Sequence, residues 1–378
     1  MTGTKRMANI ELLRTVAMVM VVVLHFLSRS GSLMETDSPL TSVRVAGTFI
    51  EMFCLVAVNT YVFISGYFGV KGAFRPSKAV TLLCQIWFYA VLIFLALAAA
   101  GIPTLGYEGG SLQVYGLVQY LFPIETEHYW FATSYFMLYL LTPVLNGAVK
   151  SMSKKQLQIT LGGLLILFCG IKSISPLSFV VDKFGYDLAW FICVYLTAAY
   201  FGLYGSAFFE KRGWLVYVLS ALLSFGIQTA MWFLSRESSS FSYYFTVPFH
   251  YNFILCLTGA IGLFYGFLHI RIKEGFCAEA IRKLGALSFG VYLLHEHIDV
   301  RGLWYGWLGG VINPAGKQGL LYFILELIFC VVILFVAGIF IDWLRSMLFQ
   351  MAGRRLGQTK AGKKLRELDG YFTADARG

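Results

Sequence analysis

The chain has 378 residues, 58% hydrophobic and 13% charged, with a mean hydropathy of +0.70. That composition excludes an ordinary soluble domain and a disordered chain. The net charge of +10 is gathered into short segments between apolar stretches, which points to membrane topology and away from nucleic acid.

Apolar stretches of membrane-spanning length recur along the chain. They predict helices over 10–30, 47–70, 79–101, 128–148, 157–175, 187–208, 214–234, 248–270, 284–299 and 319–345. The expected fold is an all-α polytopic integral membrane bundle of about ten transmembrane helices. Met1–Arg6 has the charge of a signal-peptide n-region, but Glu11 and Arg14 interrupt the apolar run after it, and no small-residue cleavage site closes that run. The first helix is therefore expected to be retained.

With the N-terminus in the cytoplasm, alternation gathers cations on one side. They are Lys5, Arg6, Lys71, Arg75, Lys78, Lys150, Lys154, Lys155, Lys211, Arg212, Arg271, Lys273, Arg282 and Lys283. The other side keeps Arg29, Arg44, Lys172, Lys183, Arg236, Arg301 and Lys317, with acids such as Glu35, Asp37, Glu108 and Asp182. This positive-inside bias puts both termini of a multi-pass chain in the cytoplasm. A short basic tail, 351–378, is expected to lie on anionic lipid or to be disordered. The seven cysteines show no metal-type spacing and read as buried, inert thiols.

Arg14 and His25 lie in the same first helix, eleven steps apart. Eleven steps return a helix to within roughly 20° of its starting face, about 16 Å further along. One face thus carries a cation near its start and an imidazole deep inside. Such intramembrane polar residues mark function, because an ionised group at a helix centre costs roughly 2.5–3.5 kcal/mol on insertion scales. The structural alternative is that Arg14 snorkels to the headgroups and pairs with Glu11 at i,i+3, with His25 packed between helices.

Arg-x10-His in the first helix resembles the signature of the acyltransferase-3 family of bacterial membrane acyltransferases. Three further segments look like that family, in order. They are Phe63-Ile64-Ser65-Gly66-Tyr67-Phe68, then Tyr129-Trp130-Phe131 leading into Tyr139-Leu140-Leu141-Thr142-Pro143, then Ser288-Phe289-Gly290-Val291-Tyr292-Leu293-Leu294-His295. Asn9-Ile10-Glu11-Leu12-Leu13-Arg14 looks most like members that decorate surface polysaccharides. The resemblance makes 1–350 a transmembrane acyltransferase-like domain. Many relatives carry Arg-x-x-Arg after the second helix, where this chain reads Lys71-Gly72-Ala73-Phe74-Arg75-Pro76-Ser77-Lys78. The charge remains and the spacing does not.

The resemblance implies an O-acyltransferase that moves an acetyl or similar short acyl group from acetyl-CoA to a hydroxyl of a surface or lipid-linked glycan. Arg14 would bind a donor phosphate, with Lys71, Arg75 and Lys78 as a basic mouth for CoA. His25 would act as general base or carry the acyl group itself. Glu125, Glu127, His128, Trp130 and His295 are candidates for the acceptor side. Ser65 and Gly66 read as helix-packing residues, and Pro143 should kink or end the fourth helix. His295, Glu296, His297 and Asp299 form the densest polar cluster, with His295 and Asp299 at i,i+4. No matching ligand set accompanies them, so no metal is expected, and oligomeric state is unread. A transporter of glycans or small amphiphiles and a ligand-binding membrane module share the helix count and the buried polar residues.

Overall fold

The computed structural model describes residues 6–175, 183–312 and 319–374. Lys5, Asp182 and Lys317 of the charge pattern lie outside these residues. In chain order the helices are α1 (Ala8–Arg29), α2 (Ser42–Cys54), α3 (Val56–Gly69) and α4 (Pro76–Ala99). A two-stranded hairpin, β1 (Tyr107–Glu108) and β2 (Ser111–Leu112), precedes α5 (Val114–Leu121) and α6 (Trp130–Ser151). Then come α7 (Lys154–Leu165), α8 (Ile171–Ile174), α9 (Leu188–Tyr204), α10 (Ala207–Glu237), α11 (Ser242–Thr246) and α12 (Ile254–Leu268). The last are α13 (Phe276–His295), α14 (Trp304–Ile312), α15 (Leu320–Leu356) and α16 (Lys360–Ala374).

Eight helical runs among the described residues are long and apolar enough to cross a membrane. One is Ser42–Gly69, in which α2 and α3 are separated only at Leu55. The other two predicted spans are helical but weaker by composition: α9 has 17 residues, and Glu279, Arg282 and Lys283 load the start of α13 with charge. Chain direction bears on whether they cross. Glu11 of α1 abuts Gly285 of α13, and His25 meets His295, so α1 and α13 run parallel. Parallel first and ninth spans require an odd number of crossings between them. That number is odd only if α9 crosses as well.

Local chemistry sets the helix ends. Thr41 accepts the Arg44 N–H at 3.2 Å, Asp187 accepts the Trp190 N–H at 2.8 Å, Ser153 and Gln156 form a capping box, and Pro76 opens α4. Pro143 does not end α6, which continues to Ser151. Its missing N–H leaves the Tyr139 carbonyl without its usual partner, and the Thr142 hydroxyl donates to that carbonyl at 2.7 Å.

Helix α1 packs against α13, α3, α15, α2 and α12, which places the Arg14–His25 face inside the protein. Close approach depends on glycine. A Cβ on Gly285 would sit 2.6 Å from the Glu11 carbonyl oxygen, and one on Gly66 would sit 2.4 Å from the Tyr195 carbonyl oxygen. The packing role read for Gly66 is therefore met.

The tail differs from its expectation. Helix α15 runs past residue 350 to Leu356, and α16 folds back onto α4. The Asp369 carboxylate accepts the Ser77 N–H at 2.9 Å and the Ser77 hydroxyl at 2.6 Å. Phe372 meets Phe74 edge to face. Asp369 thus satisfies donors in the first turn of α4, where a carboxylate is favoured. Disorder, one of the two readings, does not hold for Lys360–Ala374, which forms a docked helix.

Candidate active site

Arg14 borders two adjoining cavities of about 240 and 400 Å³. Both are also lined by Lys78, Ser65, Tyr135 and Tyr139. Arg6, Thr81, Gln85 and Ser288 complete the larger one. Glu11, buried beneath, lies 3.6 Å from the Arg14 guanidinium and 3.5 Å from that of Arg6. The i,i+3 pair foreseen from sequence therefore exists. It does not consume Arg14, whose side chain stays about one-third exposed, at 32%. The result is a cationic chamber rimmed with hydroxyls.

Of the basic mouth predicted between α3 and α4, only Lys78 lines this chamber. Arg75 caps α4 from outside, with its main chain held by Tyr139: the Arg75 N–H donates to the phenol oxygen at 3.3 Å, and the phenol donates to the Arg75 carbonyl at 3.1 Å. Lys71 is exposed on the turn before it. Arg6 takes the place that spacing had given to these two. Ser65 does more than pack: it shares a hydrogen bond of 2.8 Å with the Tyr135 hydroxyl on the chamber wall.

His25 borders a third, much smaller cavity of about 20 Å³, walled by Met18, Val58, Tyr61, Trp130, Phe131, Tyr251 and Tyr292, among others. Tyr61 and Phe131 also line the larger Arg14 cavity, so they stand between the two spaces. The Tyr61 hydroxyl donates to the Arg14 carbonyl at 2.6 Å, which ties this partition to α1 itself. Phe131 stacks on Tyr135.

Behind His25 stands a polar relay. His25 Nδ1 lies 2.8 Å from His295 Nε2, and His295 Nδ1 lies 2.5 Å from the Val291 carbonyl. A carbonyl only accepts, so His295 carries its proton on Nδ1 and presents a lone pair at Nε2. His25 must then donate from Nδ1. That leaves His25 Nε2 with a free lone pair, and it has no protein partner among the described residues. The buried Glu296 carboxylate reaches to 3.4 Å from His25 Nδ1 and 3.9 Å from Arg29. Its Oε1 makes no hydrogen bond, so it is placed to balance charge when His25 becomes a cation.

His25, His295 and Glu296 form the cluster of potential metal ligands found among the described residues. Two nitrogens on one tetrahedral zinc ion sit about 3.3 Å apart, given Zn–N bonds near 2.0–2.1 Å. The 2.8 Å separation here is that of a hydrogen bond.

The acceptor-side candidates divide. Trp130 lines the His25 cavity and stacks on Tyr251. His128 is fully buried and lines none of these three cavities: its Nε2 accepts the Ile298 N–H at 3.4 Å, and its ring packs on His297. Glu125 is exposed, and Glu127, in a left-handed turn with φ of 49°, pairs with Lys183 at 3.4 Å on the surface. His295 is fully buried behind His25 and not against a cavity, so its place is to orient His25. The expected i,i+4 relation of His295 to Asp299 is absent, because α13 ends at His295. Asp299 instead accepts the Tyr120 hydroxyl at 2.7 Å and the Leu105 N–H at 3.0 Å, pinning the hairpin region. Sequence reasoning gave Glu296, Arg6, Tyr61 and Tyr292 no role. Glu296 stood in the polar cluster and Tyr292 in the ninth-helix motif, and proximity to His295 was the available signal for both.

A central intramembrane helix that presents a cation and an oriented imidazole to neighbouring cavities, within a bundle of membrane-length helices, defines a polytopic helical membrane protein. The acyltransferase-3 family profile, described as an acyltransferase domain, matches residues 7–342, and this chain belongs to that family. No curated protein and no solved structure matched the chain.

Proposed function

We propose that the protein is an O-acyltransferase of the bacterial cytoplasmic membrane. It moves an acetyl group from cytoplasmic acetyl-CoA to a hydroxyl of a surface or lipid-linked glycan. The observation that carries this reading is the relay from the Val291 carbonyl through His295 to His25, which leaves His25 Nε2 unprotonated beside a cavity. A base held in that tautomer suits removal of a proton from an alcohol.

The cationic chamber suits the donor. Arg14, Lys78 and Arg6 offer charge for the phosphates of CoA, and a guanidinium binds phosphate oxygens through two parallel N–H bonds. The pantetheine arm is long enough to run from Arg14 toward His25, about 16 Å along α1, past Tyr61 and Phe131. In this reading the chamber opens on the cytoplasmic side, as the positive-inside distribution requires. Trp130 and Tyr251 offer aromatic faces toward which a sugar ring can approach from the other side.

The test is transfer of radiolabelled acetyl from acetyl-CoA into an alkali-labile ester of crude surface glycan, in membranes that express the protein. Label is expected with the intact chain and not with His25→Ala at equal expression. Absence of transfer by the intact chain with any short acyl-CoA would sink the reading. Movement of glycan across the membrane without a covalent product would favour a transporter.

A further inference from the structure

We propose that the Tyr292 hydroxyl, backed by the N-terminus of α6, donates to the oxyanion formed in acyl transfer at His25. The proposal rests on the acyl-transfer reading and names a further catalytic residue within it.

Tyr292 is 4% exposed; its buried hydroxyl oxygen faces the backbone N–H groups of Phe131 and Ala132, and its proton has no acceptor. A buried phenol normally finds a partner, because an unpaired donor has given up its bonds to water for nothing. This one lines the same small cavity as His25. It stands one turn before His295 on α13, with the two rings 6.3 Å apart. The ring itself is held by Phe131 at 5.5 Å, Phe289 at 6.0 Å and Tyr129 at 6.0 Å between centroids. The donor is thus rigid and desolvated, on a residue that borders the His25 cavity.

Helix α6 begins at the same place. Its N-cap, Tyr129, provides no capping side chain, since the Tyr129 hydroxyl donates instead to the Leu293 carbonyl at 3.0 Å. The first α6 N–H with an intrahelical acceptor is that of Thr133, on the Tyr129 carbonyl at 2.9 Å. Of the N–H groups ahead of it, those of Phe131 and Ala132 face the Tyr292 oxygen, so the positive end of the helix polarises the phenol. Trp130 and Phe131, the first two residues of α6, line the His25 cavity.

The acceptor oxygen bonds to the thioester carbonyl carbon as its proton passes to His25 Nε2. The carbonyl π electrons move onto oxygen, and that oxyanion accepts the Tyr292 O–H, whose proton stays on tyrosine. Collapse restores the carbonyl and breaks the C–S bond, and the thiolate takes the proton from His25. Fixed donors aimed at developing charge in a water-poor site need no reorganisation during the step.

Tyr292→Phe keeps the ring and removes the hydroxyl. With wild-type transfer and its loss in His25→Ala established in the same membranes, kcat is expected to fall about 10²-fold or more. The KM for acetyl-CoA should stay within about twofold, and the melting temperature in detergent should fall only slightly, since ring packing is kept while the Phe131 and Ala132 N–H groups lose the oxygen they face. A kcat within about threefold of wild type would overturn the proposal while leaving the His25 reading standing. Activity lost in step with a markedly lowered melting temperature would assign the hydroxyl to structure and overturn it too. Wild-type protein that transfers nothing would take both readings down together.

Discussion

His25 and His295 are separated by 270 residues in sequence and joined by one hydrogen bond of 2.8 Å, Nδ1 to Nε2. The Val291 carbonyl behind His295 sets the direction of that bond and so the tautomer of both rings. Because α1 and α13 run parallel and pack along their length, the pair is held by the two helices that contribute it.

His295 is accordingly a positioning residue. His295→Ala should lower kcat about 10²–10⁴-fold, the range of general-base contributions, with little change in the KM for acyl-CoA. His295→Gln should restore part of the rate, because its amide oxygen can accept the His25 Nδ1–H. Steady-state kinetics on the two variants decide the matter. Equal loss in both would show that orientation is not what His295 supplies.

Arg14 and Lys78 should behave as donor-binding residues. Lys78→Ala is expected to raise the KM for acetyl-CoA several-fold with kcat little changed, and Lys71→Ala to leave both near wild type, since only Lys78 lines the chamber. Arg14→Lys should still be damaging, because lysine is a point charge and not a fork. A KM effect from Lys71→Ala as large as that from Lys78→Ala would contradict the placement of the donor.

Gly285 is a packing requirement. Gly285→Val would drive a side chain into the Glu11 backbone and carboxylate, both 2.6 Å from its Cβ position. Overpacking of this kind costs about 1–3 kcal/mol. Thermal unfolding in detergent should show a clear fall in melting temperature, whereas Gly147→Ala, with open space around it, should show none.

The α16 clasp should open on loss of Asp369. Asp369→Ala removes two hydrogen bonds to Ser77, charge-assisted ones worth roughly 1.5–3 kcal/mol apiece. Limited proteolysis is the measurement: cleavage after Lys363, Lys364 and Arg366 should accelerate in the variant. Unchanged protection would mean that Phe372 against Phe74 holds the helix without the carboxylate.

Much of the architecture was legible before the structure. A bilayer leaves a spanning backbone no partner but itself, so long apolar stretches become helices. All ten predicted stretches are helical, with ends that shift where caps or charges decide. Both α13 boundaries moved: the span predicted over 284–299 is a helix over Phe276–His295, because amphipathic turns at its start carry charge that hydropathy discounts. Arg14 and His25 were legible because helical spacing alone puts them on one face.

What sequence could not reach was the company each polar residue keeps. His295 looked like a ligand for substrate and lies fully buried, holding His25. His128 had the right position in the chain for an acceptor contact and is buried against His297. Glu296, Arg6 and Tyr292 gained their places only when α1, α4, α6 and α13 converged. The tail read as a polar segment, and its docking depends on Ser77, 292 residues away from Asp369. The amino-acid sequence by itself determined the spans and the Arg14–His25 face, since the apolar bilayer and the 3.6-residue turn enforce them locally. Tertiary structure alone decided which buried donor meets which acceptor, because hydrogen bonds between distant segments depend on helix packing that no local pattern records.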